Sequence, residues 1–271
     1  MATGLSLHIG VNHSPNNPPL ETCVRDAQSM KAVAESKGFI AKLFFDEYAS
    51  CSAISKAIKS AALHLLEGDI FFVSFSGHGG QLIDIDGDES SAAGVDGFDE
   101  TWCCSDRDFI DDELAELWAA FRPGVRILVV SDSCNSGTVT RTRIGSRSWA
   151  IGSSSNQPGR SAAIPIGAKG LLIGACRDGA TASADGTSDL SLFTSALVET
   201  WQKIVATHSK ADYREFYSRI HRMLQGRQTP SWYRFGTIDD DFYLEPPFSI
   251  EHTIALRRTR GAPSNKIGHQ D

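Results

Sequence analysis

Two reactive side chains follow apolar segments of the sequence at the points where those segments end. His78 stands in "SGHGGQ" after "DIFFVSF", and Cys134 stands in "SDSCNSG" after "VRILVV". A cysteine attacks as its thiolate, and a nearby histidine supplies the base that forms the thiolate. Taken singly, Cys134 is read equally well as a buried core thiol and His78 as a loop histidine bonded to backbone. Together, at the ends of two strands, they predict a nucleophilic site.

The elements that would position these residues alternate between short apolar runs and longer amphipathic stretches. This order predicts an α/β fold with a mostly parallel sheet and helices on both faces. Ligands of such sheets bind beyond the carboxyl ends of the strands, where His78 and Cys134 lie. The predicted strands are residues 5–11, 39–45, 69–75, 125–131 and 170–175, and the predicted helices are 21–37, 51–66, 111–121, 190–205 and 212–224.

Two long segments interrupt this alternation. Residues 80–108 are acidic and rich in glycine, and residues 138–168 are rich in Ser, Gly and Arg with few large apolar side chains. Both are longer than ordinary connections in a compact domain, so we expect functional or disordered loops there. The sequence after about residue 257 predicts a frayed tail with no assigned role.

Composition restricts the possible partners. The chain has 271 residues, 33 acidic against 26 basic, for a formal net charge of -7. That charge argues against nucleic-acid and polybasic membrane binding. The chain starts without a secretory-type leader and has no run of roughly 20 apolar residues, so we expect a cytoplasmic protein. The six cysteines lack zinc spacing and are sparse, which favours reduced thiols.

Several motifs in order resemble those of one known family. "FSGHGGQ", "DIDGDE", "DGFDE", "DDEL" and "DSCNSG" resemble the motif series of the metacaspases and bacterial orthocaspases, caspase-like cysteine peptidases of clan CD. The resemblance extends over roughly residues 5–237. It implies a caspase-like sheet of about six strands and a cysteine endopeptidase. It also implies protein or peptide substrates cleaved after Arg or Lys, and a monomer.

The resemblance assigns roles to particular residues. It places the catalytic dyad at His78 and Cys134, and the oxyanion donors at the backbone N–H groups of Gly79 and Cys134. It places the acids that bind a basic P1 side chain, the residue before the cleaved bond, at Asp26 and Asp132. Cys23 and Ser76 match the walls of that S1 pocket.

Residue reasoning supports part of this S1 assignment. Asp132 alternates onto the same side as Cys134 if the strand pattern persists, and carboxylates are the natural acceptors for a guanidinium. The structural alternatives are an exposed charge at a helix start for Asp26 and a loop cap for Asp132.

The same resemblance divides the chain into parts. Residues 1–257 would form one caspase-like domain, with a p20-like part at 1–140, a flexible linker at 141–168 and a p10-like part at 169–257. Residues 258–271 would form a flexible tail. A peptidase specific for basic residues would be able to cleave itself within the linker, and the candidate positions are Arg141, Arg143, Arg147 and Arg160.

The acidic loop raises the question of calcium. Counted from Asp84, Glu89 stands where an EF-hand requires Gly and Val95 where it requires Glu, so the loop is not an EF-hand. Many metacaspases use another calcium site, but Arg141 stands where that site expects an acid after the nucleophile. A solvated acidic loop explains the composition equally well, and we expect no cofactor to be required. The acids that would match the family's site are Asp96, Asp99, Asp111 and Asp112.

Two rival functions from other classes stay open at this point. One is a catalytically idle caspase-like module that binds partner proteins, which a lost dyad residue would favour. The other is a different enzyme on a doubly wound sheet, but no GxGxxG or GxxxxGK[ST] motif follows the first strand. A further departure from the family is Asn135, which stands where the family usually has His and has no proton-transfer role.

Overall fold

A computed structural model describes residues 1–83, 98–133, 165–175, 189–238 and 241–251. Within these ranges the chain forms strands and helices in the alternating order that the sequence predicts. The strands are β1 (Gly4–Gly10), β2 (Ile40–Phe45), β3 (Ile70–Ser76), β4 (Gly79–Ile83), β5 (Phe98–Cys103), β6 (Asp108–Ile110), β7 (Arg126–Asp132), β8 (Lys169–Gly174) and β9 (Ser231–Gly236). The helices are α1 (Cys23–Ser36), α2 (Cys51–His64), α3 (Asp111–Ala119), α4 (Leu192–Ala206) and α5 (Tyr213–Leu224).

The central sheet has six strands in the order β2-β1-β3-β7-β8-β9. All neighbouring pairs are parallel except β8 and β9, which are antiparallel. Helices α2 and α3 contribute to the core on one face, and α1, α4 and α5 contribute to the core on the other. The expected α/β architecture is therefore confirmed. Within this sheet, the strand that sequence reasoning did not delimit is β9, which pairs with β8.

The two central strands are buried along their whole length. Every residue of β3 ("IFFVSFS") and of β7 ("RILVVSD") is buried. Strands covered by helices on both faces bury both sets of alternating side chains, so they appear in the sequence as continuous apolar runs. In β3, Phe71, Val73 and Phe75 pack with α2 and α3, whereas Ile70 and Phe72 pack with the opposite helices.

The segment 80–108 was expected to be a long loop, and this expectation is wrong for its two ends. Strands β4, β5 and β6 form a small antiparallel sheet, separate from the central one. Trp102 on β5 attaches this sheet to the core, because its ring stacks on Phe75 of β3 with centroids 4.7 Å apart. Phe109 on β6 is also fully buried. The few large apolar residues of the segment are therefore concentrated in its strands.

A buried ion pair joins the amino end of β7 to the last described segment. Arg126 is 1% exposed and pairs with Glu245, which is 0% exposed. The same guanidinium donates to the backbone carbonyls of Gly68 at 2.8 Å, Ser249 at 3.1 Å and Ile250 at 2.5 Å. The positive charge is thus neutralised, and its hydrogen-bonding capacity is largely used within the fold.

Candidate active site

The candidate site lies at the carboxyl edge of the central sheet. β3 ends at Ser76 and β7 ends at Asp132, and these two residues are partners in the parallel register. Gly10, at the end of β1, lies so close to α1 that an added Cβ would be 2.4 Å from the carbonyl oxygen of Cys23. A glycine at this position lets the first turn of α1, with Cys23 and Asp26, approach the strand ends.

Asp26 is fully buried within this edge. One of its carboxylate oxygens accepts a hydrogen bond from the Ser76 hydroxyl at 2.9 Å, and the other accepts from the Ser191 backbone N–H at 2.9 Å. Burial, and after it the nearby charge of Asp132, raises the pKa of Asp26 to about 7. The structural alternative of an exposed charge at a helix start is therefore wrong for Asp26.

Asp132 is the second buried acid, with 6% of its surface exposed. Its carboxylate oxygen Oδ2 accepts hydrogen bonds from the Thr194 hydroxyl at 2.7 Å and from the Ser191 hydroxyl. Burial raises the pKa of Asp132, and the two hydroxyl donors oppose that rise. Asp26 and Asp132, called the acid pair below, thus place two carboxyl groups side by side out of water.

No cation neutralises the acid pair within the described part of the chain, where neither Asp26 nor Asp132 forms an ion pair with Lys, Arg or His. Two like charges in a buried site disfavour their own ionisation, which is the direction of both pKa shifts. A bound guanidinium or ammonium group would reverse that penalty. The arrangement is therefore suited to a basic ligand side chain.

Cys23 and Ser76, which the resemblance assigns to the walls of the S1 pocket, both lie beside the acid pair. Cys23 is 4% exposed, and burial raises the pKa of its thiol to about 12, with a smaller opposing effect of its hydrogen bond to Ser76. A thiol with so high a pKa stays protonated at neutral pH and is a poor nucleophile. The four neighbouring residues Cys23, Asp26, Ser76 and Asp132 are called the acid pocket below.

His78 lies in the connection between β3 and β4 and is half-buried. Its Nε2 is 2.8 Å from the backbone carbonyl oxygen of Pro18. Because a carbonyl only accepts, Nε2 carries the proton in this contact, which leaves Nδ1 for exchange with a substrate. The Gly77 N–H donates to the Asp132 carbonyl oxygen at 3.2 Å, so the histidine loop is tied to the end of β7.

The structure brings five of the predicted site residues to one edge: Cys23, Asp26, Ser76, His78 and Asp132. Gly79 begins β4 directly after the histidine. Cys134, two positions after Asp132, lies outside the described residues, as do Arg141, Arg143, Arg147 and Arg160. The dyad, the oxyanion assignment and the cleavage positions therefore stay predictions.

The predicted calcium ligands are only partly described. Asp96 lies outside the described residues, and for Asp99 only the backbone is described. Asp111 is buried at the start of α3, where its Oδ1 accepts from the Asp112 backbone N–H at 3.0 Å. A carboxylate in the first turn suits the helix dipole without any metal. The residues described include no group of three or more His, Cys, Asp or Glu placed to hold an ion.

Sequence reasoning missed three contributors to the site. Ser191 and Thr194, at the start of α4, hold the acid pair, and Pro18 holds His78. Ser191 precedes the periodic run "LFTSALVETWQ" and its side chain accepts from the Thr194 N–H, which makes it an N-cap. The N-cap was recognisable from sequence, but its proximity to α1 and β7 was not.

Comparison with known proteins places this arrangement in a family. The caspase domain model matches residues 3–243. A solved structure of a protein from Geobacter sulfurreducens is 32% identical, covers 92% of this chain and 99% of its own, and superposes with a TM-score of 0.72. Caspase-1 from Spodoptera frugiperda is 15% identical, covers 87% of this chain and 90% of its own, and superposes with a TM-score of 0.55, which shows the fold alone.

A curated relative, metacaspase-4 of Arabidopsis thaliana, is 34% identical over 139 residues, which is 48% of this chain and 32% of that protein. The sheet, its helices and the histidine and acids at its carboxyl edge thus define a caspase-like α/β protein. The chain belongs to the caspase domain family of cysteine peptidases, and its similarity to a metacaspase confirms the resemblance drawn from the motifs. The chain spans about a third of the length of this curated relative.

Among the helices that the structure describes, none combines the length and the apolar composition needed to cross a bilayer.

Proposed function

We propose that this protein is a cysteine endopeptidase that hydrolyses peptide bonds after Arg or Lys in protein or peptide substrates. The observation that carries the proposal is the acid pair, Asp26 and Asp132, buried without a cationic partner among the described residues. It lies at the sheet edge that also carries the His78 loop. A specificity pocket that is acidic and adjacent to the catalytic groups selects a basic P1 residue.

In the proposed reaction, Cys134 is the nucleophile and His78 is its proton partner. The Cys134 thiolate adds to the carbonyl carbon of the P1 residue, and the oxyanion that forms accepts hydrogen bonds from the Gly79 and Cys134 N–H groups. The C–N bond then breaks as protonated His78 gives its Nδ1 proton to the leaving amine. His78 next removes a proton from water, which hydrolyses the thioester, and Cys134 leaves as the thiolate.

The contact between His78 and Pro18 supports this division of roles. The Pro18 carbonyl oxygen accepts from Nε2 of His78, which fixes the ring orientation. Such a contact does part of what a carboxylate does in a triad. A dyad of His78 and Cys134 therefore needs no third side chain.

No step of this reaction requires a metal or another cofactor. Asp111 and Asp112 would be the described part of a calcium site, and Asp111 already uses its carboxylate at the start of α3. Within the acid pocket, the ionised acids themselves supply the electrostatic attraction for the substrate. We accordingly propose that the peptidase acts without an obligatory cofactor.

The cysteines offer a direct test of the nucleophile. Burial raises the pKa of Cys23 and Cys103 to about 12 and also contributes to the raised pKa of Cys104. These three thiols should therefore resist alkylation in the folded protein at neutral pH. Limited treatment with iodoacetamide should label Cys134 first and remove activity in proportion. Labelling of a buried cysteine first, with activity retained, would contradict the assignment.

Turnover of fluorogenic peptides with systematically varied P1 residues tests the function, with and without added calcium. Cys134→Ala and His78→Ala should each lower turnover of Arg substrates by at least about 1,000-fold. His64→Ala is the matched control, since His64 lies at the end of α2 and bonds only the Ser60 carbonyl of its own helix. It should keep wild-type turnover. A folded wild-type protein without turnover would favour an idle protein-binding module.

We also propose autoprocessing in the 141–168 linker, at one or more of its basic residues. Wild-type protein incubated after purification should yield two fragments, and Cys134→Ala should stay intact. Mass spectrometry would assign the cleaved bond to Arg141, Arg143, Arg147 or Arg160. A wild-type protein that remains a single band, like the Cys134 variant, would contradict autoprocessing without affecting the proposed peptidase activity.

A further inference from the structure

The start of α4 is part of the acid pocket, although it is distant in sequence from every residue predicted there. Ser191 and Thr194 lie 59 and 62 positions after Asp132, and 165 positions separate Asp26 from Ser191. Three donors from this single helical turn reach the two carboxyl groups. They are the Ser191 N–H to Asp26, and the Ser191 and Thr194 hydroxyls to Asp132.

Ser191 contacts both members of the acid pair at once. Its backbone N–H reaches Asp26, its hydroxyl donates to Asp132, and the same oxygen accepts from the Thr194 N–H as the N-cap of α4. A hydroxyl held by two hydrogen bonds, on a residue whose backbone N–H is also engaged, has little rotational freedom. The separation of the two carboxyl groups is therefore set by Ser191 and by the helix that it caps.

Thr194 contributes a second hydroxyl, and its own burial makes that contact strong. The residue is 2% exposed, and its Oγ1 is 2.7 Å from Asp132 Oδ2. A hydrogen bond to a charged acceptor away from water is stronger than one between neutral groups. The positive end of the 15-residue helix α4 adds to the stabilisation of negative charge at this place.

We propose that Ser191 and Thr194 are positioning residues for P1 specificity, which fix the Asp132 carboxylate and hold the acid pair at the spacing that receives a basic side chain. This inference rests on the proposed peptidase function. Both hydroxyls bond to Oδ2 of Asp132, so this side of the carboxylate is fixed by α4. Neither residue bonds His78, so both act on binding of the P1 side chain rather than on the chemical step.

The test compares steady-state kinetics of five variants on an Arg-P1 peptide. Thr194→Val removes one hydroxyl at nearly constant volume, and it should raise KM about tenfold with kcat within about twofold of wild type. Thr194→Ser restores a hydroxyl and should return KM toward the wild-type value. Thr200→Val is the matched control on the same helix, because Thr200 is also buried but bonds Met223 instead of an acid. It should leave KM unchanged.

Ser191→Ala is the fourth variant and should also raise KM about tenfold. Because it removes a helix cap as well, it is compared with Ser50→Ala, which removes the equivalent cap of α2. Both should lose similar stability in urea, but only Ser191→Ala should change KM.

The pH profile of kcat/KM gives a second readout. Within the described residues, the titratable side chains that interact with Asp132 are Asp26 and Cys23, both on α1. Since the hydroxyls of Ser191 and Thr194 favour the ionised form of Asp132, their removal should shift the acidic limb of the profile to higher pH. Thr200→Val should not shift it.

Two results would overturn the inference, and they are distinguishable. If wild type cleaves after Arg and Thr194→Val has the same KM and pH profile as Thr200→Val, the inference is wrong and the proposed function stands. If wild type cleaves no basic-P1 substrate, the proposed function is wrong and this inference fails with it. A raised KM confined to the Ser191 and Thr194→Val variants, with rescue by Thr194→Ser, supports it.

Discussion

Strand β7 carries a buried charged residue at each end, and the two ends are built in opposite ways. At the amino end, Arg126 meets Glu245 and three backbone carbonyls. At the carboxyl end, Asp132 meets a second acid, Asp26, and hydroxyl groups. The first arrangement neutralises its charge within the fold. The second places like charges together with no cation among the described residues.

The charge at the amino end stabilises the fold, whereas the charge at the carboxyl end is the one proposed to bind a ligand. A buried ion pair with its hydrogen bonds made offers nothing to a ligand, and breaking it leaves one charge uncompensated. The buried acid pair has no compensating cation among the described residues, and burial raises both of its pKa values. In the proposed function, a basic substrate side chain supplies that cation. Burial alone therefore does not indicate function, whereas burial of unneutralised like charges does.

Breaking the amino-end pair should have the largest effect on stability. Glu245→Gln leaves the Arg126 charge buried without its partner, so we expect the free energy of unfolding to fall by about 3–5 kcal/mol. Urea denaturation measures this change. Replacing both residues, as Arg126→Met with Glu245→Leu, should recover only part of the loss, because three backbone carbonyl oxygens then lose their donor. If Glu245→Gln is as stable as wild type, the ion pair does not stabilise the fold.

Removing one acid from the other end should instead affect binding. Asp132→Asn keeps the shape of the side chain but deletes the charge that attracts a basic P1 residue. We expect kcat/KM for an Arg substrate to fall roughly 100-fold, equivalent to about 3 kcal/mol. Stability in urea at pH 7 should not decrease by a comparable amount. If Asp132→Asn instead loses stability in urea while the folded variant keeps the wild-type kcat/KM, Asp132 is a structural charge and this prediction is wrong.

The pKa of Asp26 predicts opposite pH dependences of stability and activity. Its pKa is raised from 3.8 to about 7, so the folded protein binds more protons than the unfolded chain in that window. Stability should therefore fall as pH rises from about 4 to 7, while binding of Arg substrates improves. Asp26→Asn should remove this part of the pH dependence and raise the free energy of unfolding at pH 7 by on the order of 1 kcal/mol. Urea titrations at several pH values would show it, and an unchanged slope would contradict it.

A histidine in the sheet should make stability depend on pH in the opposite direction. His8 on β1 is fully buried between the hydroxyls of Ser6 and Ser74, and burial lowers its pKa from 6.5 to about 3. The unfolded chain binds the extra proton, so stability is lost as pH falls below 6.5. In His8→Gln, the free energy of unfolding should fall less steeply as pH falls, by up to about 1 kcal/mol less per pH unit. If the free energy of unfolding falls equally below pH 6.5 in wild type and in His8→Gln, the loss of stability is not due to His8.

A strand was predictable from the sequence when its own residues form a recognisable local pattern. The strands β3 and β7 were visible as continuous apolar runs, and their register places Ser76 beside Asp132 as a consequence. Strands β4 to β6 were missed because Gly, Asp and Glu interrupt their apolar residues, and because Trp102 and Phe109 are buried only where the small sheet packs on the main core. The β9 strand was not delimited, since an edge strand with exposed positions lacks such a run.

The residues of the candidate site also differ in whether a local sequence pattern identifies them. Asp26 and Asp132 were found through motifs, because each motif is a short sequence with a recognisable order. Ser191 and Thr194 carry no such mark, and only the packing of α4 against α1 and β7 brings them to the acids. Groups that act through long-range packing are the part of a site that sequence alone does not reveal.

The most direct test of the acid pair as a receptor for a basic side chain compares two peptides that differ only at P1, one with arginine and one with citrulline. Citrulline has nearly the same shape but no charge. We expect kcat/KM to be at least about 100-fold higher for arginine with the wild-type protein, and this ratio to shrink towards 1 in Asp132→Asn. Equal cleavage of the two peptides by wild type would contradict the account.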